Sequence, residues 1–314
     1  MLYAYLIRRL LATLPVMVVV GLFVFSLLYL SPGDPAALIA GDLATADDIA
    51  KIRQKLGLDE PFLIRFGQWA WELFHGDLGV SIFSNLPVSR LIGQRIEPTL
   101  ALATTTMLFA ITLAVPMGVI AAWKAGTWID RAVMGFAVLG FSFPVFVSAY
   151  LLIYGFSIRL EWLPVEGYTN LRDGFGPFLA NLALPSIALG SIYMALIARI
   201  TRTSVLDVLS EDYIRTAHAK GLTAGRVLIA HALKNAGVPI VTVIGVGIGL
   251  LIGGVVITES VFGIPGIGRL TVDAILSRDY PVIQGVILVF SGVYVLVNLL
   301  VDLSYAFIDP RIRY

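Results

Sequence analysis

Cysteine is absent from the 314-residue chain, which excludes a disulfide framework, iron–sulfur clusters, thiolate metal sites and a cysteine nucleophile. Charge is scarce as well. Asp, Glu, Lys and Arg make up 14% of the residues and hydrophobic types 58%, against roughly 25% and 45–50% in soluble domains. That balance excludes a disordered chain and argues against a soluble globule. A formal net charge of +1 offers no basic surface for nucleic acid. None of the five lysines follows a glycine, so the Gly-Lys-Ser/Thr of a phosphate-cradling Walker A loop is missing. No His-Glu-x-x-His occurs, and the single Glu72-x-x-His75 pair lies outside the apolar stretches, so no metal is expected in this chain. His218 and His231 are expected to be surface or interface residues.

What the sequence does contain is long runs without any charge. Spanning about 30 Å of hydrocarbon takes roughly 20 helical residues, and six uncharged stretches qualify: Leu10–Leu30, Pro98–Ala122, Ala132–Ile158, Pro177–Ala198, Ala236–Thr258 and Val282–Val301. The first lacks a small-residue cleavage site before Ser31-Pro32-Gly33-Asp34-Pro35 and reads as a retained anchor. The expected class is an all-α integral membrane protein with six transmembrane helices. Six spans place both termini on one side. Segments 1–9, 123–131, 199–235 and 302–314 carry twelve Lys/Arg against six Asp/Glu, whereas 31–97, 159–176 and 259–281 carry ten against fifteen. By the positive-inside rule both termini and 199–235 are expected in the cytoplasm.

The absence of ionisable groups within the spans also bears on energy supply. Ion-coupled carriers place such groups in the bundle to bind the driving ion. Here only neutral groups such as Asn181, Asn298 and Thr104 to Thr106 remain, so uphill transport would draw its energy from another subunit. A secondary carrier using backbone carbonyls and a non-transport scaffold are the rival readings.

Three regions follow: 1–30, the cytoplasmic N-terminus and first span; 31–97, a helical extracytoplasmic excursion; and 98–314, a five-helix core that includes the cytoplasmic segment 199–235. In the excursion, Thr45 and Asp48 have capping-box spacing, Ile49, Ile52 and Leu56 form one stripe that Gly57 can end, and Phe62, Phe66, Trp69 and Leu73 form a second. In the third span Pro144 should kink the helix. In the fifth, Gly245, Gly249 and Gly253 put a smooth face toward a neighbouring helix, for packing or for sliding. In 199–235, Ser210 with Glu211 and Asp212 opens a short helix that stops at Gly221, and Thr223 opens a second from Ala224 to Asn235.

This last segment carries a resemblance. Glu211-Asp212-Tyr213-Ile214-Arg215-Thr216-Ala217-His218-Ala219-Lys220-Gly221, followed by Leu233-Lys234-Asn235-Ala236 and Pro239, is similar to the cytoplasmic loop of binding-protein-dependent ABC importer permeases of the dipeptide/oligopeptide/nickel branch. Pro32-Gly33-Asp34-Pro35, His75-Gly76-Asp77-Leu78-Gly79, Glu259-Ser260-Val261-Phe262 with Pro265-Gly266-Ile267-Gly268-Arg269, Arg278-Asp279-Tyr280-Pro281 and Asp309-Pro310-Arg311-Ile312-Arg313 agree in order. The broader pattern has Glu-Ala-Ala where this chain has Arg215-Thr216-Ala217, and Ile-x-Leu-Pro where it has His231-Ala232-Leu233-Lys234.

The resemblance implies a type I importer permease fold in a bacterial inner membrane and the first permease of a heterodimer, serving peptides, glutathione or a nickel chelate. It implies a second homologous permease, two ABC ATPases that bind the ATP and Mg, and an extracytoplasmic solute-binding protein. It makes Glu211, Asp212, Tyr213, Arg215, Thr216, Ala217, His218, Lys220 and Gly221 the ATPase-coupling residues. Pro144 and the span-five glycines are then the candidates for helix packing or gating. The candidates for an outer gate or binding-protein contact are Phe262, Pro265, Gly266, Arg269, Arg278 and Asp279.

Overall fold

The computed structural model describes residues 2–30, 34–41, 44–55 and 57–308. Pro32, Gly33, Leu56 and the closing stretch 309–313 lie outside the described residues. Helices dominate, in the order α1 (Leu2–Leu30), α2 (Pro35–Ala40), α3 (Ala46–Lys55), α4 (Phe62–Phe74), α5 (Val88–Gly93), α6 (Ile96–Trp123), α7 (Trp128–Ser142), α8 (Val145–Leu152), α9 (Phe175–Leu209), α10 (Asp212–Ala219), α11 (Ala224–Arg226), α12 (Gly237–Val261), α13 (Ile267–Ser277) and α14 (Tyr280–Ile308). Wider π-helical turns extend α8 over Ile153–Arg159 and α11 over Val227–Leu233.

Among the described residues five helical stretches are long and apolar enough to cross a membrane, and α7 with α8 and its π-helical extension makes a sixth if that bent pair is counted as one span. That pair is bent by 100°. The kink expected at Pro144 is therefore a full break. Phe143 is extended, and Pro144, with φ of −56° and ψ of 143°, starts a new helix by offering its carbonyl to Val147 N. Pro144 stands at the N-cap, where its missing N–H costs no intrahelical hydrogen bond, so the chain turns here at little cost.

Two compact units divide the chain, Met1–Arg95 with Leu270–Val295 and Ile96–Arg269 with Leu296–Tyr314. In the first, the expected excursion helices form. Thr45 and Asp48 make the capping box reciprocally, Thr45 N to Asp48 Oδ2 at 3.1 Å and Asp48 N to Thr45 Oγ1 at 3.3 Å, and the Thr45 bonds hold the Asp48 carboxyl below its ordinary pKa. On α4 the stripe Phe62, Phe66 and Trp69 closes on Phe25 of α1, ring centroids 5.3–5.6 Å apart. Edge-to-face and tilted aromatic contacts of this kind add to the burial itself. The buried Asp279 carboxylate accepts from Ser81 Oγ and from Ile82 N, the latter at 3.2 Å.

The second unit is built on α6 and α9. Leu102, Met107 and Ala110 of α6 pack with Leu182, Leu189 and Ile197 of α9 in one core, joined by Ala149 of α8 and Leu251 and Val255 of α12. Small residues permit the close approaches. A Cβ on Gly118 would lie 2.6 Å from the Ala198 carbonyl oxygen, and one on Gly245 would lie 2.3 Å from Val301 Cγ2 of α14. Without a hydrophobic drive between helices in lipid, such backbone proximity supplies much of the packing energy.

Candidate functional site

α10 has eight residues, too few to be stable alone. Its stability comes from an apolar seat. Ile214 and Ala217 are buried against Val227, with Val208, Leu209 and Leu222 around them. Its end is a Schellman cap. Gly221 N donates to His218 O at 2.9 Å, Leu222 N donates to Ala217 O at 3.3 Å, and Leu222 packs back on the Ala217 cluster. Gly221 occupies the left-handed position this cap needs, φ +81°, with open space where a Cβ would stand. Ser210 is not the N-cap that its sequence position suggests: its hydroxyl donates to Asp207 O and closes α9, while Glu211 occupies the cap position without a side-chain bond.

The coupling residues expected from the sequence divide by this seat. Glu211, Asp212, Tyr213, Arg215, Thr216, His218, Lys220 and Gly221 are exposed, whereas Ala217 faces inward. Arg215 reaches Asp212 at 3.4 Å on the surface, a pair worth little to stability. Tyr213 Oη accepts from Asn235 Nδ2 at 2.7 Å, which ties α10 to the foot of α12. The expected second helix, Ala224 to Asn235, begins as α11 and runs on as the π-helical stretch.

Close to this seat lies a pair that sequence reading missed. Arg202 of α9 donates from Nε to Asp130 Oδ1 at 2.6 Å and from Nη2 to Asp130 Oδ2 at 2.7 Å, and Gly126 N donates to the same carboxylate at 3.0 Å. Asp130 is 5% exposed. The bidentate fork thus clamps the α6–α7 turn to α9 eight residues before Ser210.

A second site stands at the other end of α12, about 37 Å along a helix of 25 residues at 1.5 Å per residue. Glu259 is 0% exposed. Its Oε1 accepts from Thr99 Oγ1 of α6 at 2.6 Å and its Oε2 from Arg269 N at 3.0 Å, while Ile267 N donates to Thr99 Oγ1 at 2.8 Å. The turn wraps the carboxylate closely. A Cβ on Gly266 would fall 2.1 Å from Oε1, and one on Gly268 would fall 2.7 Å from Val256 Cα. Glycine is thus required at both places. The neighbouring loop is fastened too. Gly167 N donates to Phe262 O at 2.9 Å, Asn170 Nδ2 donates to Glu97 Oε2 at 2.9 Å, and Tyr168 Oη donates to Glu97 Oε1. Burial first, and then this bond, push the Tyr168 phenol above its ordinary pKa.

Of the residues expected at an outer gate or contact, Pro265 and Arg269 are exposed on this turn, Gly266 is buried against Glu259, and Phe262 lies in the core. Arg278 is exposed, in the left-handed region at φ 58°, and Asp279 is the buried acceptor for Ser81. The glycine face of α12 is uneven. Gly245 meets Val301, Gly249 is half-buried, and Gly253 looks into open space, while Gly254 approaches Leu189 on another face. Pro144 sits at the break between α7 and α8.

Residues 114–314 match the family model described as binding-protein-dependent transport system inner membrane component, and residues 1–103 match the model of the N-terminal part of such components. The chain belongs to this permease family. The permease is 55% identical over 310 residues to a probable peptide ABC transporter permease of Sinorhizobium fredii, with 99% of each chain covered. It is 45% identical, again with 99% of each covered, to a glutathione transport system permease of Salmonella choleraesuis. A solved structure of the MetNI methionine ABC transporter in inward-facing conformations shares 16% identity at a TM-score of 0.58, covering 70% of the permease and 96% of that chain. That likeness shows the type I permease fold. Membership sets aside the ion-coupled carrier and the scaffold as readings of the permease.

Proposed function

We propose that the permease is one of two different membrane subunits of an ATP-driven importer of peptides, glutathione included, with both termini in the cytoplasm. The observation that carries this reading is the full-length likeness to relatives named as peptide and glutathione permeases, supported by the excess of Lys/Arg in segments 1–9, 123–131, 199–235 and 302–314. The permease itself catalyses nothing. Two ABC ATPases bind ATP with Mg and hydrolyse it, and a solute-binding protein delivers the peptide on the far side.

In this mechanism α10 is the coupling helix. Its exposed residues fit an ATPase groove, its buried Ile214 and Ala217 carry groove movement into α9 and the π-helical stretch, and the Tyr213–Asn235 bond carries it to the foot of α12. The Asp130–Arg202 fork passes the movement from α9 to α7. At the far end, the Glu259 turn holds Pro265 and Arg269 as a rigid rim for the outer gate or the binding protein. The exposed stripe Val246, Leu250, Gly253 and Ile257 of α12 fits the second permease. A switch of this kind needs only a few kcal/mol between inward- and outward-open states.

The test is uptake of a radiolabelled dipeptide and of glutathione into vesicles holding both permeases and both ATPases, with binding protein outside and ATP inside. Uptake that needs all components supports the proposal. Absence of uptake for peptides, with uptake of a nickel chelate by the same vesicles, would overturn the peptide assignment.

A further inference from the structure

Both faces of α4 are apolar. Phe62, Phe66 and Trp69 meet α1, whereas Leu63, Trp71 and Phe74 on the other side are 77%, 68% and 85% exposed. A short helix with exposed aromatic and aliphatic side chains, next to the end of a membrane-spanning helix, fits the interfacial layer where Trp and Phe are at home. Arg65 and Glu72 occupy a polar flank of the same helix, two turns apart and therefore on one side.

That flank borders a cavity of about 780 Å³, lined by Arg65, Gln68 and Glu72 of α4, by Ser81, and by Tyr280 and Gln284 of α14. A second hollow of about 320 Å³ adjoins it, lined by Leu27 and Leu30 of α1 and Tyr280 and Ile283 of α14. Tyr280 borders both. A chamber with one cationic and one anionic side chain thus meets an apolar cleft between two membrane-spanning helices, whose ends are joined by Gln284 Nε2 donating to Val24 O at 3.3 Å. Arg65 is held at the chamber wall by its bond to Tyr29 Oη and by the rings of Phe25 and Tyr29, each 5.4 Å from its guanidinium carbon.

We propose that the chamber and cleft hold one phospholipid with an amine-bearing zwitterionic headgroup. Its phosphate meets the Arg65 guanidinium, whose planar donors suit phosphate oxygens. Its ammonium meets the Glu72 carboxylate, and an acyl chain fills the cleft beside Leu27, Leu30 and Ile283. The chamber falls within the ordinary size of a small-molecule site, about 300–1,000 Å³. The cleft distinguishes the ligand from a water-soluble zwitterion such as a dipeptide, which has no tail to place there. Bound in this way, the lipid fastens α4 to α1 and α14 at the membrane surface.

The test is native mass spectrometry of the complete importer, delipidated in detergent and titrated in parallel with dioleoyl phosphatidylethanolamine, dioleoyl phosphatidylglycerol and a dipeptide. One phosphatidylethanolamine retained per copy of this chain, in preference to phosphatidylglycerol, is expected. Glu72 is exposed, so Glu72→Gln leaves the fold intact, and loss of one partly solvated ion pair should lower the preference for the ethanolamine headgroup about fivefold. Ile283→Trp, which fills the cleft, should lower the affinity for both lipids while the subunit composition stays unchanged. Equal retention of both lipids by the wild type, or a Glu72→Gln importer with undiminished preference, overturns the proposal. Dipeptide binding in the same chamber with no lipid retained overturns it as well.

Discussion

The two ends of α12 place their charges in opposite ways. On α10 itself the charged side chains point outward and the helix rests on apolar contacts and a backbone cap: Ile214 and Ala217 below, Gly221 and Leu222 at the stop. At the other end, the carboxylate of Glu259 points inward, and the backbone is wound around it at Gly266 and Gly268. An exposed charge is available to a partner and contributes little to stability, whereas a buried carboxylate must be fully bonded or it destabilises the site severely. The first arrangement suits a surface that docks. The second suits a turn that has to keep its shape at the membrane boundary.

The largest effects should come from emptying the buried sites. Glu259→Ala takes from Thr99 Oγ1 and the Arg269 amide the acceptor they share, at about 1–3 kcal/mol for each buried donor affected, read as a fall in the thermal unfolding midpoint of the purified complex. Asp130→Ala, which strands Arg202 near the α10 seat, should cost a comparable amount, and unchanged melting of Glu259→Ala would erase the contrast between the α10 surface and the Glu259 turn. Gly221→Val comes next. The strain of a β-branched residue at φ +81° is about 1–2 kcal/mol, and because the cap sets the end of α10, transport should become uncoupled from ATP hydrolysis while membrane insertion persists. The smallest stability effect belongs to Arg215→Ala, expected within about 0.5 kcal/mol of wild type.

Local patterns were the legible part of this sequence. The uncharged runs gave the membrane-spanning helices, the Thr45–Asp48 spacing gave a real capping box, and the Phe62, Phe66, Trp69 stripe gave the face of α4 that packs on α1. Pro144 was legible as a perturbation but not as a break, because a proline only biases the residue before it toward the extended conformation that Phe143 takes, and a kinked helix satisfies the same pattern. Ser210 misled, since a serine between two helices can close one as readily as open the next. The Asp130–Arg202, Thr99–Glu259 and Ser81–Asp279 contacts join residues 72, 160 and 198 positions apart. No period or spacing encodes such pairs. Only Gly266 and Gly268, placed within reach of Glu259, signal in hindsight that something large must fit beneath the turn.

The most direct measurement is peptide-stimulated ATPase activity of the reconstituted importer carrying charge reversals on the exposed face of α10, Glu211→Lys with Lys220→Glu, alongside its thermal unfolding. An unchanged unfolding midpoint with ATPase stimulation and uptake lost is the expected result, since these side chains are exposed and the proposed function gives them to an ATPase groove. Full stimulation and uptake in the reversed variant would contradict the assignment of α10 as the site that receives the motion of the ATPases.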